Sequence, residues 1–546
     1  MAVSVPIRTA PPRRVQYQWG PVVKQRDRVV SINTAQDAAI SVLNCWIRDA
    51  DTDFPIIEGR PGFVIADESM GSSAAVQWAG QLSQADGTEI SAVVAAGEIW
   101  TYNHGTDTLT KVVTTANLTT ATVTLSSSAR VYACEFADTL VFNDGTNQPF
   151  TWDGTTGAGG VTLLSNAPSV CYGKPWVYYA KLFFIKDAER NTIVWSEEGD
   201  ATTGYEAGGY TNAWTLRQTA TEGFVAGEGT NEGLYLFRGN STTLVTGEVT
   251  PNFSTTGVDE GISDTVGCRS PNGVLNLGGA LYFLTNDRRI LRVEGRQLVD
   301  VGIGARARLA ALNTAQIAKV FVDYVDFHEQ GERIVVAIPE TGSDDCNAYV
   351  VVNPASGLCE GTWTGWRTTA LGRWKNANGE WRLVHGGGDA ATTVDDGLVY
   401  IHDVPNGDTL DDEFLAGLTP VTHQVETSYV GPDVNTERGW TDGTLLMSYG
   451  SEITGVSTTA ITSRGEHALT TALSFDGAAG FTLDEDQLDI DALGGDAGEA
   501  RIPFAMRGVF GRWLRMRFSH ATLGERFTVQ ELTINATVTE RRPSIQ

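Results

Sequence analysis

The chain has 546 residues, 41% hydrophobic, 9% aromatic and only 19% charged, and its Gly and Pro content stays well below the ~25–30% of low-complexity chains, so collagen-like and disordered readings are excluded. Acids outnumber bases 66 to 39, for a net charge of -27; on average such a surface repels nucleic acid and anionic membrane, which excludes a protein that coats DNA.

Residues 1–35 read as an extended basic arm. Arg8, Arg13, Arg14, Lys24, Arg26 and Arg28 gather there in an otherwise acidic protein, and Pro6, Pro11 and Pro12 keep the backbone extended. The start of the chain has no apolar core of the ~7–15 residues that a secretory signal requires. No stretch approaches the ~18 apolar residues of a membrane span. A soluble protein made in a cytoplasm is expected. Helical periodicity is confined to 34–43 and to 305 to about 322.

The rest alternates short apolar runs with Gly, Asn, Asp and Thr, the pattern of strands and turns. Asn143-Asp144-Gly145 predicts a tight type I′ hairpin turn. Asn286-Asp287 and Asn378-Gly379 mark similar breaks. One phrase recurs: a small or acidic residue and Gly, a short aromatic-rich strand, then a polar turn. Its anchors are Ile99, Leu140, Leu182, Leu234, Leu281, Ile334 and Leu398, roughly 40–65 residues apart, against ~40–50 for propeller blades. One four-stranded blade cannot cover its own faces; a closed ring of blades can. The expectation is an all-β fold, with a β-propeller of six or seven blades over 36–415. A run of hairpins in stacked β-sandwiches is the alternative. Past about 415 the spacing stops. Residues 416–546 read as a further β-domain, or as strands that complete the last blade, with runs at 513–518 and 527–534.

No catalytic set, cofactor motif or metal site is written in the chain. The cysteines Cys45, Cys134, Cys171, Cys268, Cys346 and Cys359 form no C-x-x-C and read as reduced, buried hydrophobes. Cys346 and Cys359 lie on segments that could pair as strands, which leaves one disulfide open. His385-Gly386-Gly387-Gly388 looks like an esterase oxyanion loop, but no G-x-S-x-G nucleophile elbow follows it. It reads as the turn after a strand at 381–384, so His385→Ala is expected to leave function intact. The single Asp-box-like phrase at 474–482 supports no glycosidase reading. The acidic run from Asp484 to Glu499 fails the EF-hand pattern at Leu488 and reads as a solvated loop. None of the seven histidines makes H-x-x-x-H.

Several phrases, taken in order, carry a resemblance. They are Asn44-Cys-Trp46, Gly59-Arg-Pro-Gly-Phe63, Val266-Gly-Cys268, Gly278-Gly-Ala-Leu-Tyr-Phe-Leu284, Tyr349-Val-Val-Val-Asn-Pro354, Trp363-Thr-Gly-Trp366 and Gly397-Leu-Val-Tyr-Ile-His-Asp403. Together they resemble the tail nozzle (tail tubular protein B) and DNA-stabilisation tail proteins of short-tailed bacteriophages, from about 40 to 535. The resemblance implies a non-enzymatic structural protein of the virion tail, assembled in the host cytoplasm. It implies a β-propeller subunit of a homohexameric ring below portal and adaptor, with tail fibres or spikes as further partners. That ring would form the distal DNA channel, retaining the packaged genome and releasing it during ejection. The six cations of the arm are the candidate assembly residues. An acidic lumen offers double-stranded DNA no counterion-release trap, so DNA would slide without tight binding, and loops such as 154–160 and 202–210 would narrow the bore. A receptor- or glycan-binding propeller is the second reading, and a glycan-active enzyme the third.

Overall fold

The computed structural model describes residues 13–19, 41–48, 56–68 and, with breaks, 74–538; the longest breaks are 428–437 and 476–497. Strand Thr139–Asn143 shows how the sequence builds the ring. Side chains alternate between the two faces of a strand. Leu140 and Phe142 enter a core shared with the preceding sheet, while Val141 enters one shared with the following sheet. Both faces are buried, so the run is continuously apolar rather than alternating. Lys181–Lys186 (KLFFIK) and Leu234–Arg238 (LYLFR) follow the same rule.

Among the described residues, seven antiparallel blades form the ring. Their innermost strands are Val76–Ser83, Tyr132–Phe136, Cys171–Tyr178, Phe224–Gly229, Val274–Leu277, Phe321–Asp326 and the second half of Cys359–Lys375. Seven apolar cores lie between successive blades and close the circle. The last joins Ala370, Trp374, Val384 and Val399 of blade 7 to Val76, Ala79, Val93 and Ala95 of blade 1. The fold is thus a seven-bladed β-propeller with a second β-unit, which resolves six against seven. The anchors Leu140, Leu182, Leu234, Leu281 and Ile334 fall on second strands of blades 2–6; Ile99 and Leu398 fall on third strands of blades 1 and 7.

Cys359–Lys375 serves two blades. Its first half pairs with Cys346–Val352 at the outside of blade 6, and its second half pairs with Trp381–Asp389 as the inner strand of blade 7. The outer strand of blade 7 comes from the other end of the propeller: Phe63–Ile65 pairs antiparallel with Leu398–His402. Joining early and late segments in one sheet ties the ring shut. Phe63 anchors the tie, with the rings of Trp366, His385, Tyr400, His402 and Phe414 all 5.1–5.5 Å away.

Amide side chains staple the blades where strands turn. Asn143 Nδ2 donates to the Cys171 and Gly173 carbonyls of blade 3, at 3.1 and 2.6 Å. Asn286 Nδ2 of blade 5 donates to Asn240 Oδ1 of blade 4 at 2.8 Å. The expected tight turn at 143–145 is instead a wider loop before Phe150–Trp152, because the Asp144 carboxylate gathers the N–H groups of Ser126, Thr146 and Asn147.

Several sequence expectations need correction. Residues 41–43, expected helical, form strand Ser41–Leu43; 34–40 lie outside the described residues. The expected helix at 305–322 is broken into Ile303–Ala305, Arg306–Leu309 and Thr314–Lys319, with Asn313 capping the last piece. These turns push Leu309, Leu312 and Ile317 into the core between blades 5 and 6. The 1–35 and 36–415 boundaries also shift. Arg13–Trp19 is a strand paired with Glu531–Val538, so this stretch of the arm belongs to a sheet. Ser41–Leu43 pairs antiparallel with His423–Glu426 and, through Leu43 and Thr362, parallel with Cys359–Lys375; Cys45–Arg48 pairs with Ile56–Gly59, which pairs with Thr528–Val529. The second unit is therefore built from both ends of the chain. Its layers enclose one core that includes Trp440, Met447, Phe504, Met516, Phe518 and Ile534. Leu514–His520 alternates strictly: Leu514, Met516 and Phe518 face that core, while Arg515 and Arg517 pair with Glu426 on the other side.

Candidate functional site

The inner strands frame a central tunnel holding a cavity of about 350 Å3. Its walls are polar, and most polar groups already have work to do. Gln77 Nε2 donates to the Ser126 and Ala129 carbonyls, and its Oε1 accepts from Gly97 N at 2.7 Å. Gln81 accepts from Ser91 Oγ and Lys375 N, at 3.0 and 3.1 Å. Arg373 pairs with Asp323 at 2.7 Å and lies over the Tyr324 ring. Glu135 accepts from Ser83 N at 2.7 Å; burial raises its pKa against that bond. Burial also raises the pKa of Glu228, opposed by Lys174 and Asn276. The tunnel therefore carries both signs of charge. Its volume matches the ~300–1,000 Å3 of small-molecule pockets.

A second polar centre joins the propeller to the second unit. Arg60, 1% exposed, forks onto Asp412 with Nη1–Oδ1 at 2.8 Å and Nη2–Oδ2 at 2.6 Å. Arg60 Nε donates to Asn44 Oδ1, which also accepts from Thr364 N at 2.6 Å. Asn44 Nδ2 reaches the Thr422 carbonyl, and Asn44 holds a φ of 52°. Trp363 Nε1 donates to the Cys45 carbonyl, and the Arg60 guanidinium lies 4.4 Å from the Trp366 ring centre. The phrases Asn44-Cys-Trp46, Gly59–Phe63 and Trp363–Trp366 thus meet at one joint. Sequence reading singled out the phrases but not Arg60–Asp412 as a pair; the Arg between two glycines and a proline was the available signal.

Of the six arm cations, Arg13 and Arg14 pair in register with Val538 and Thr537; Arg8, Lys24, Arg26 and Arg28 lie outside the described residues. The acidic stretch 484–496 does too. The His385 phrase is no turn: it lies inside strand Trp381–Asp389. A Cβ at Gly386 would meet Val76 at 2.3 Å, and Gly387 has φ +148° with the Arg367 carbonyl 1.9 Å from its missing Cβ. Gly386 lets blade 7 close on blade 1, and Gly387 lets two strands of blade 7 approach each other. His385 is fully buried, with Nδ1 3.0 Å from His402 Nε2, and burial depresses its pKa to about 3. It is core, so His385→Ala removes packing and is not the silent change its sequence context suggests. Loops 154–160 and 202–210 lie among the outer strands of blades 2 and 3, away from the tunnel.

All six cysteines are free. Cys346 and Cys359 do lie on paired strands, but Cys359 faces Val352 and Cys346 faces Thr368; six residues separate them along the strand, about 20 Å. Burial raises every thiol, to about 12 for Cys134, Cys268, Cys346 and Cys359. Since the thiolate is the reactive form, the native chain is expected to show no fast-reacting thiol toward an aromatic disulfide reagent at pH 8. All six should titrate in denaturant, and a fast native thiol would contradict this burial.

No family model matches the chain, and no curated protein matches it. Among solved structures, it is similar to BamB from Moraxella catarrhalis, with 13% identity over 66% of this chain and 95% of that one, TM-score 0.35. It is similar to the N-terminal domain of Nup159, with 9% identity over 63% and 95%, TM-score 0.33. The extracellular domain of a B. thetaiotaomicron protein named as a hybrid two-component system gives 8% identity over 63% of this chain, TM-score 0.35. The match spans only 39% of that protein. The blade count stands on the chain's own sheets and inter-blade cores. Among the described residues, no helix is long and apolar enough to cross a membrane.

Proposed function

We propose that the chain is the repeating structural subunit of a bacteriophage tail nozzle, without catalytic activity, working in the virion tail. One observation carries this reading. Phrases that resemble the nozzle family, far apart in sequence, meet at one buried joint around Arg60, Asn44 and Trp366. In this reading the genome path runs between subunits, in the lumen of a homo-oligomeric ring, rather than along the axis of one propeller. An acidic lumen gives DNA no counterion-release energy to hold it, and retention falls to constriction and to the adaptor above.

Negative-stain imaging of the purified full chain, or of particles carrying it, should show rings with sixfold symmetry. Assembled rings should retain little double-stranded DNA on a filter at ~0.15 M salt, where exposed charges are screened beyond ~8 Å. A strictly monomeric chain that no adaptor assembles, or tight salt-sensitive DNA retention, would overturn the reading. The mixed-charge cavity in the tunnel favours a second reading, a receptor- or glycan-binding propeller, which predicts ligand binding by the monomer.

A further inference from the structure

Four charged side chains line the tunnel cavity: Glu135, Lys174, Asp323 and Arg373. We propose that the cavity binds a small zwitterion of the amino-acid or dipeptide class, its carboxylate on Lys174 and its ammonium on Glu135. The proposal shares the tunnel with the second reading above, narrows its ligand to a class other than a glycan, and does not depend on the nozzle reading.

Two of the four charges cancel, since Arg373 pairs with Asp323 at 2.7 Å. The other two do not. Lys174, half-buried on the inner strand Cys171–Tyr178, makes no ion pair and no side-chain hydrogen bond among the described residues. Glu135, on the adjacent inner strand Tyr132–Phe136, is exposed and accepts from Ser83 N through Oε1, which leaves Oε2 over. The Cys134 thiol, next along that strand, lies within electrostatic range of both charges. Yet the two form no ion pair with each other, so they stand apart on the wall. The uncharged lining adds one more unused group. Gln77 and Gln81 spend their amides within the wall. The Asn272 side-chain amide makes no hydrogen bond among the described residues; only its backbone carbonyl is used, by Val322 N.

Water solvates both free charges in an open tunnel. An occupant that displaces it must replace those hydrogen bonds or bury a bare charge. An anion alone answers Lys174 but strands Glu135, and meets the carboxylates of Asp323 and, near Lys174, of Glu228. A cation alone answers Glu135 and strands Lys174. A neutral sugar reaches both but forgoes charge-to-charge bonds, which are roughly twice as strong as neutral ones. A zwitterion answers both ends and brings no net charge. The volume of about 350 Å3 sits at the low end of the ~300–1,000 Å3 range, room for one such molecule. Trp78 and Trp381, both half-buried in the lining, give its carbon chain an apolar surface.

The test uses the full chain and saturation-transfer NMR. Glycine, γ-aminobutyrate and alanyl-alanine set the two charges at different separations. Acetate and methylammonium are the single-charge halves, and methyl glucopyranoside is the glycan arm. At least one zwitterion should bind at about millimolar Kd, and about tenfold tighter than either half. Glu135→Gln keeps an acceptor for Ser83 N and should weaken that zwitterion about tenfold, as should Lys174→Gln. Lys174→Arg keeps the charge and should retain binding, which separates loss of charge from loss of fold. Three silent zwitterions, halves that bind as well as the whole, or undiminished binding by Glu135→Gln and Lys174→Gln would each overturn the proposal. Binding of methyl glucopyranoside alone would overturn it and leave the second reading standing. None of these results bears on sixfold rings in the microscope, so a failure here is distinct from a failure of the nozzle reading.

Discussion

Replacing Arg60 by methionine should lower stability by about 3–5 kcal/mol, the usual cost of removing one partner of a buried ion pair. Arg60 and Asp412 are 0% and 5% exposed at their side chains. Burial already pushes the Asp412 pKa up, and the Arg60 charge and hydrogen bonds are what oppose it. Without Arg60 the carboxyl takes up a proton, and Asn44 Oδ1 loses a donor. The double variant Arg60→Met with Asp412→Leu should recover much of the loss, because it leaves no buried charge behind. Urea unfolding followed by tryptophan fluorescence measures both, with Trp363 and Trp366 at the joint. A double variant no more stable than Arg60→Met would show that the fork itself, rather than relief of a stranded charge, dominates. A single variant within ~0.5 kcal/mol of the parent, the range of ordinary surface changes, would remove the joint from the account.

The ring was legible in the sequence because its signal is local. A second strand such as Phe183-Phe184-Ile185 must bury both faces, so its apolar run and its polar turn repeat blade after blade. The joint was not legible, because its partners lie far apart: Arg60 and Asp412 are 352 residues distant. Neither residue type nor spacing announces such a pair. The boundary at residue 36 failed for the same reason. Arg13–Trp19 and Ile56–Gly59 are short strands whose partners, Glu531–Val538 and Thr528–Val529, come from the far end. The glycines of the His385 phrase read as a turn because sequence cannot tell a glycine that bends the chain from one that admits a neighbour.

Acid should destabilise the fold well before its carboxylates are exhausted. His385, His402 and His423 are buried, and burial, with help from the nearby Arg60 charge, depresses each below the usual imidazole value, to about 3 for His385 and His423. In the unfolded chain each takes a proton near pH ~6.5. Between those limits the unfolded state binds more protons, so the stability is fully present above about pH 6.5 and is lost as pH falls toward 3. Each histidine contributes a slope of about 1.4 kcal/mol per pH unit. Carboxylates with raised pKa values, Asp412, Glu228 and Glu135 among them, bind protons in the folded state and pull the other way. A comparison at constant carboxylates removes that term. His423 is the choice, since its ring is buried and stacks near His520 and Phe527 without a side-chain partner among the described residues. His423→Met should cost little at pH 7.5 and should flatten the fall in unfolding free energy between pH 6 and 4.5 by about one proton's worth, ~1.4 kcal/mol per unit. Denaturant titrations across that range read the slope directly. Parallel pH profiles for parent and variant would mean that His423 is protonated in the folded chain, and the stacked, neutral ring at the joint would have to be given up.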